Sequence, residues 1–240
     1  MTTSSREAKN DQMILGYWNI RGLVEPSRMI LHYTKTPFIN HTYALQDGPH
    51  YASEWLKVKQ TFSLDFPNLP YLIDGDIKLT QSNVILRYLG RKFNMMGKTE
   101  KEVAMCELLI DQLFNLRTEF SKAAYGPVEG FEDAKQIFIN GPLTDYLKML
   151  EKFLGKYNKK WLISNDLTAA DFQFYEHIDV CWLITNDSWK EYPNVLKYLK
   201  RFQEIPELKP YLQSQEYRSM AINAKFARFG AGVEKHQDKN

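Results

Sequence analysis
The chain opens on twelve almost wholly polar residues, then turns apolar at Met13-Ile-Leu-Gly-Tyr17, a run that predicts a buried strand. Gly22 and Pro26 bracket a turn, with Pro26 suited to a helical first turn and Met29, Ile30 and Tyr33 recurring at helical spacing. A second strand near 39–43 completes a β-α-β opening. Residues 46–49 (Gln-Asp-Gly-Pro) read as a surface loop, and 53–60 as a short helix carrying Trp55 and Lys59 one turn apart. Two short strands, 71–74 and 77–80, flank the turn at Gly75-Asp76. Ser82 is the expected N-cap of a helix running to about 93.

After Gly97 the alternating pattern stops and helical periodicity takes over. Helices are expected near 100–124, 132–140, 142–156, 168–184 and 193–204, with Gly141-Pro142 breaking or kinking the chain between the second and third. Thr168-Ala-Ala-Asp171 has capping-box spacing, with Leu167 and Phe172 placed as its hydrophobic staple. The resulting plan is α/β plus all-α: a small β-α-β-α-β-β-α domain over 13–93, a linker at 94–100, and an all-helical domain over 101–228. A disordered extension (1–12) and a flexible tail (229–240) complete it.

Composition narrows the function. Lys+Arg total 31 and Asp+Glu 29, a formal net charge of +2, which argues against a nucleic-acid partner. No apolar run approaches the roughly 20 residues of a membrane span, and the first twelve residues lack the apolar core of a secretory signal. With only Cys106 and Cys181, neither a disulfide scaffold nor a metal site is expected, so the chain reads as reduced and cytoplasmic. Fourteen Tyr, fourteen Phe and five Trp exceed what a core of this size needs, so some are expected to line a cleft or an interface.

Three motifs then stand in order: Leu15-Gly-Tyr-Trp-Asn-Ile-Arg-Gly22, Asp65-Phe-Pro-Asn-Leu-Pro-Tyr-Leu-Ile-Asp-Gly75 and Thr80-Gln-Ser-Asn-Val-Ile-Leu-Arg-Tyr88. Together they resemble the glutathione S-transferases, and the Tyr-Trp pair and the loop before Trp55 point to the mu class. The resemblance covers roughly 13–230 and implies a thioredoxin-like domain followed by a helical one. It also implies glutathione as co-substrate, hydrophobic electrophiles as second substrates, a detoxification role and a two-fold homodimer.

The resemblance assigns roles residue by residue. Tyr17, at a strand end just before a helix N-terminus, would donate its hydroxyl hydrogen bond to the glutathione thiolate. Leu69-Pro70, with a cis bond, would pair its backbone with the cysteinyl unit, and Asn68 would also touch the tripeptide. Gln81 and Ser82, at a helix start, would take the γ-glutamyl carboxylate, while Trp18, Trp55 and Lys59 would take the glycine carboxylate. Leu23 counts among the glutathione contacts and, with Ile20, lies beside the electrophile. Phe114, Thr118 and Tyr125 form a second semi-apolar face on the 100–124 helix, with Arg117 as a cationic rim. Phe66 and Arg87 match dimer-interface positions. Asn115 falls where relatives carry an Asp that reaches the partner subunit's glutathione, and Asp111 or Glu119 is the candidate substitute for the lost charge.

Two other readings bear on the same residues. A thiol-disulfide oxidoreductase shares the first fold but needs a cysteine at the strand-to-helix turn, and 19–26 has none. A non-catalytic ligand-binding or structural relative remains the alternative, since such a protein can keep a tyrosine.

Overall fold
The computed structural model describes residues 12–126, 129–157, 159–185 and 189–232, so the expected extension lies almost wholly outside the described residues, as does the tail beyond 232. Four strands form one sheet in the order β2-β1-β3-β4: β1 (Met13–Trp18), β2 (Phe38–Tyr43), β3 (Tyr71–Asp74) and β4 (Ile77–Thr80). β1 runs parallel to β2 and antiparallel to β3, and β4 returns antiparallel beside β3. Leu15, with α1 (Glu25–Tyr33) and α3 (Ser82–Lys92), fills the core facing the second domain. Opposite it, Tyr43, Trp55 of α2 (Ser53–Val58), Phe62 and Tyr71 form a separate aromatic cluster.

The second domain holds α4 (Glu100–Ala124), α5 (Phe131–Phe138), α6 (Thr144–Tyr157), α7 (Ala169–Thr185) and α8 (Pro193–Gln203). α4 starts on a complete capping box, Thr99 with Glu102, whose spacing is the same signal as at Thr168. Between α5 and α6, Gly141-Pro142 does not break the chain. It sits in a π-helical turn, Ile139–Leu143, where Thr144 Oγ1 donates to the Ile139 carbonyl at 2.7 Å. Two short helices absent from the sequence pattern follow, α9 (Lys209–Gln213) and α10 (Gln215–Ser219). Among the described residues no helix is long and apolar enough to cross a membrane.

Three of the expected features come out differently, and the linker between the domains is packed. Ser82 is the first residue of α3, and the N-cap is Gln81. The Thr168 hydroxyl donates to Asp171 Oδ2 instead of accepting from the Asp171 amide, so the box is only half of the reciprocal form. The 94–100 segment packs, with Met95 and Met96 buried and the Met95 carbonyl accepting from Ala169 N at 2.7 Å. Phe229 and Gly230 are likewise held, Phe229 against the Phe120 ring and Gly230 by Asn223 N.

α7 is buried nearly all round because α1, α3, α4 and α8 surround it, so each polar residue it carries needs a partner. His177 satisfies this by donating Nδ1–H to the Leu113 carbonyl at 3.0 Å. Burial, with the Arg117 charge added, pushes its pKa down to about 3. A histidine held neutral in the fold but free to protonate when unfolded weakens the fold as pH falls from its ordinary 6.5 toward 3. His177→Asn keeps a donor without the titration. Denaturation at pH 7 and 4.5 should show wild type losing about 2 kcal/mol more than this variant. Equal losses would mean that His177 is not buried neutral.

Candidate active site
Tyr17 is the penultimate residue of β1, with its ring buried and its hydroxyl near the start of α1. Leu23 N donates to the hydroxyl oxygen at 3.3 Å, which leaves the O–H proton free to donate elsewhere. Burial raises the Tyr17 pKa, and the Leu23 amide and the Arg117 and Arg28 charges oppose that rise only in part. The group therefore stays a neutral phenol at neutral pH, a donor and not a base.

Two buried arginines hold the turn after Tyr17. Arg28 Nη1 donates to the Ile20 carbonyl at 2.8 Å and pairs with Glu25, while Nε reaches Asn40. Arg21 makes a two-point contact with Glu176 and reaches Asp179 at 2.8 Å, tying the turn to α7. Gly22 has φ +50°, and a Cβ there would lie 2.6 Å from the Tyr17 ring and 2.8 Å from its oxygen. Only glycine fits that approach.

A segment after α10 closes over the turn. Arg21 N and Gly22 N donate to the carbonyls of Ala221 and Ile222, Ala224 N donates to the Tyr125 hydroxyl at 2.9 Å, and Arg228 N donates to the Ala124 carbonyl. Arg117 Nη2 donates to Asn223 Oδ1 at 2.9 Å, and its guanidinium stacks on Phe120. Arg117 is therefore not a cationic rim. It is 4% exposed, because four residues from Leu113 and three from Phe120 it falls on the core stripe of α4. Phe114 is half-buried and shares a narrow crevice with Leu23 and Ser82, while Thr118 and Asn115 face solvent.

A second set of groups lies at the β3 and α3 starts. The Leu69-Pro70 bond is cis, Asn68 Oδ1 accepts from Leu69 N, and Gln81 has φ +73°. Holding a non-glycine residue in that left-handed region costs about 1–3 kcal/mol, a strain typical of ligand-binding positions. No side chain caps α3, so its first amides point outward unpaired by a cap. Trp18 is half-buried, Trp55 is stacked on Phe62 and Tyr71, and Lys59 closes α2. Phe66 stands 80% exposed. Arg87 pairs with Asp111 on its own chain and Glu119 pairs with Lys122, so both candidate substitutes at Asn115 already have cationic partners.

The N-terminal-domain model of the glutathione S-transferases matches residues 13–91, and the family's C-terminal-domain model matches 114–215. Glutathione S-transferase B of Cavia porcellus is 40% identical over 216 residues, covering 90% of this chain and 97% of that protein. Human glutathione S-transferase Mu 3 is 38% identical, covering 91% and 95%. The crystal structure of the glutathione S-transferase Blo t 8 superposes with TM-score 0.84 at 34% identity, covering 90% of this chain and 99% of the other. The chain belongs to the glutathione S-transferase family.

Membership makes it a transferase enzyme with glutathione as co-substrate, and mu-class members stand among its similar relatives. Within this transferase the structure draws Tyr17, Ile20, Leu23 and the Arg21–Gly22 turn together with the segment 221–224 and Tyr125. Arg28 and Asn223 are the groups that the sequence did not single out. Arg28 looks like any basic residue on a helix, and Asn223 meets Arg117 across 106 positions, which no local pattern records.

Proposed function
We propose that the transferase donates the Tyr17 hydroxyl hydrogen bond to the glutathione sulfur, holds it as thiolate, and joins it to hydrophobic electrophiles. The supporting observation is the direction of the bonds at Tyr17: the Leu23 amide fills the oxygen's acceptor side, and the neutral phenol keeps its proton to give. With an aryl halide, the sulfur–carbon bond forms, the carbon–halogen bond breaks, halide leaves, and the thiol proton passes to solvent.

Glutathione lies with its γ-glutamyl carboxylate on the uncapped start of α3, at Gln81 and Ser82. Its backbone pairs with Leu69 beside Pro70 and Asn68, and its glycine carboxylate meets Trp18, Trp55 and Lys59. Ile20, Leu23, Phe114, Thr118 and Tyr125 surround the electrophile, and Arg117 supports that wall from within. Two chains pair through Phe66, whose large exposed ring is suited to a partner pocket, and through Arg87. Asn115 of each chain then faces the other's glutathione, and the active protein is cytoplasmic. Turnover of a chromogenic halonitrobenzene with glutathione tests the reading. Binding of glutathione without turnover would instead favour a non-catalytic module.

A further inference from the structure
Three aromatic side chains meet at the surface beside Tyr17, and none belongs to either hydrophobic core. Phe226 is 49% exposed and stands between Tyr51, 41% exposed, and Tyr125, 38% exposed. Its ring lies 5.1 Å from that of Tyr51 and 5.7 Å from that of Tyr125. The three come from separate places: the loop before α2, the segment after α10, and the end of α4. The same loop and segment are joined again by Lys225 Nζ and Asp47 Oδ1 at 3.5 Å.

Exposed aromatics that fold into no core and gather in one patch mark a ligand surface. This patch is continuous with the Tyr17 site. Ile222 accepts from Gly22, whose backbone lies against the Tyr17 ring, and Ala224 donates to Tyr125. Phe226 lies four positions beyond Ile222, at most about 14 Å of chain. A flat aromatic body reacting at a sulfur beside Tyr17 is therefore within reach of the three rings.

We propose that Phe226, with Tyr51, is a specificity-determining residue of the electrophile site, extending it to favour multi-ring aromatic electrophiles over single-ring ones. The inference rests on the proposed transferase reading. Phe226 offers ring contact to the far end of the substrate and touches neither the glutathione contacts nor the reacting carbon, so its effect falls on the choice of electrophile.

The test compares wild type, Phe226→Ala, Phe226→Trp and Tyr51→Ala on two halonitroarenes with the same leaving group, one single-ring and one fused three-ring. In Phe226→Ala the ratio of kcat/KM, three-ring over single-ring, should fall about tenfold, the loss expected when aromatic contacts are removed. Tyr51→Ala should lower it in the same direction, Phe226→Trp should hold it, and glutathione KM should stay within about twofold of wild type. An unchanged ratio overturns the proposal, as does an equal change for both electrophiles, which would show that the three rings do not choose between them. Should wild type turn over neither electrophile, the transferase reading fails. Equilibrium binding of the three-ring compound then decides alone: weaker binding by Phe226→Ala keeps the patch as a ligand surface, and equal binding removes it.

Discussion

Tyr17→Phe is expected to cut kcat/KM by roughly two orders of magnitude, the usual effect of removing one donor aimed at an anion, while glutathione still binds. The variant loses only the oxygen. The ring, buried against Gly22, keeps its packing, and the turn stays tied to α7 through Arg21 and to α1 through Arg28. Leu23 N loses its acceptor, a cost of about 1 kcal/mol at this half-buried position. A free thiol has a pKa of about 8.5, and each unit of depression needs about 1.4 kcal/mol. Without the donor the bound thiol should titrate near its free value, so thiolate absorbance at neutral pH should fall and its midpoint should rise. Because burial raises the Tyr17 pKa, the donor form persists across the whole range in which the thiol titrates. An identical midpoint in variant and wild type would show that the hydroxyl does not hold the thiolate.

How much of this was legible in the sequence follows the range of the contacts. The sheet and α1 to α8 rest on short-range periodicity and turn residues, and the cis Leu69-Pro70 bond on the second motif. Ser82 has the residue type that favours an N-cap, whereas the backbone places Gln81 there in a left-handed conformation. Arg117 departs from its expected place for a related reason. A charged residue on a helix is expected outside, and the Asn223 contact and the Phe120 ring hold this one inside. The segment 221–230 left no periodic signal at all. Its bonds to 21–22 and 124 run backbone to backbone, where side-chain identity writes nothing, and its side-chain bonds to Arg117 and Tyr125 join residues about a hundred positions apart.

Asp171 shows the same limit in energetic form and yields the largest expected loss of stability. As a cap alone it is worth about 0.5–2 kcal/mol. The structure gives it more. Oδ2 accepts from Thr168 N at 2.6 Å and from Thr168 Oγ1 at 2.7 Å, while Oδ1 accepts from Leu162 N at 2.9 Å and from the Tyr198 hydroxyl. All of this is buried, and the four donors come from the α7 start, the loop before it, and α8. Asp171→Ala strands those donors, each at about 1–3 kcal/mol where no water enters, so the total should reach about 4 kcal/mol even after relaxation. For a chain of this length that corresponds to a melting temperature lower by roughly 10 °C. Asp171→Asn keeps an oxygen for Leu162 and Tyr198 but turns an amide toward Thr168, and should fall between the two. Thermal unfolding of the three proteins checks the order. A loss near 1 kcal/mol for Asp171→Ala would reduce the residue to an ordinary helix cap and would mean that Leu162 and Tyr198 find other partners.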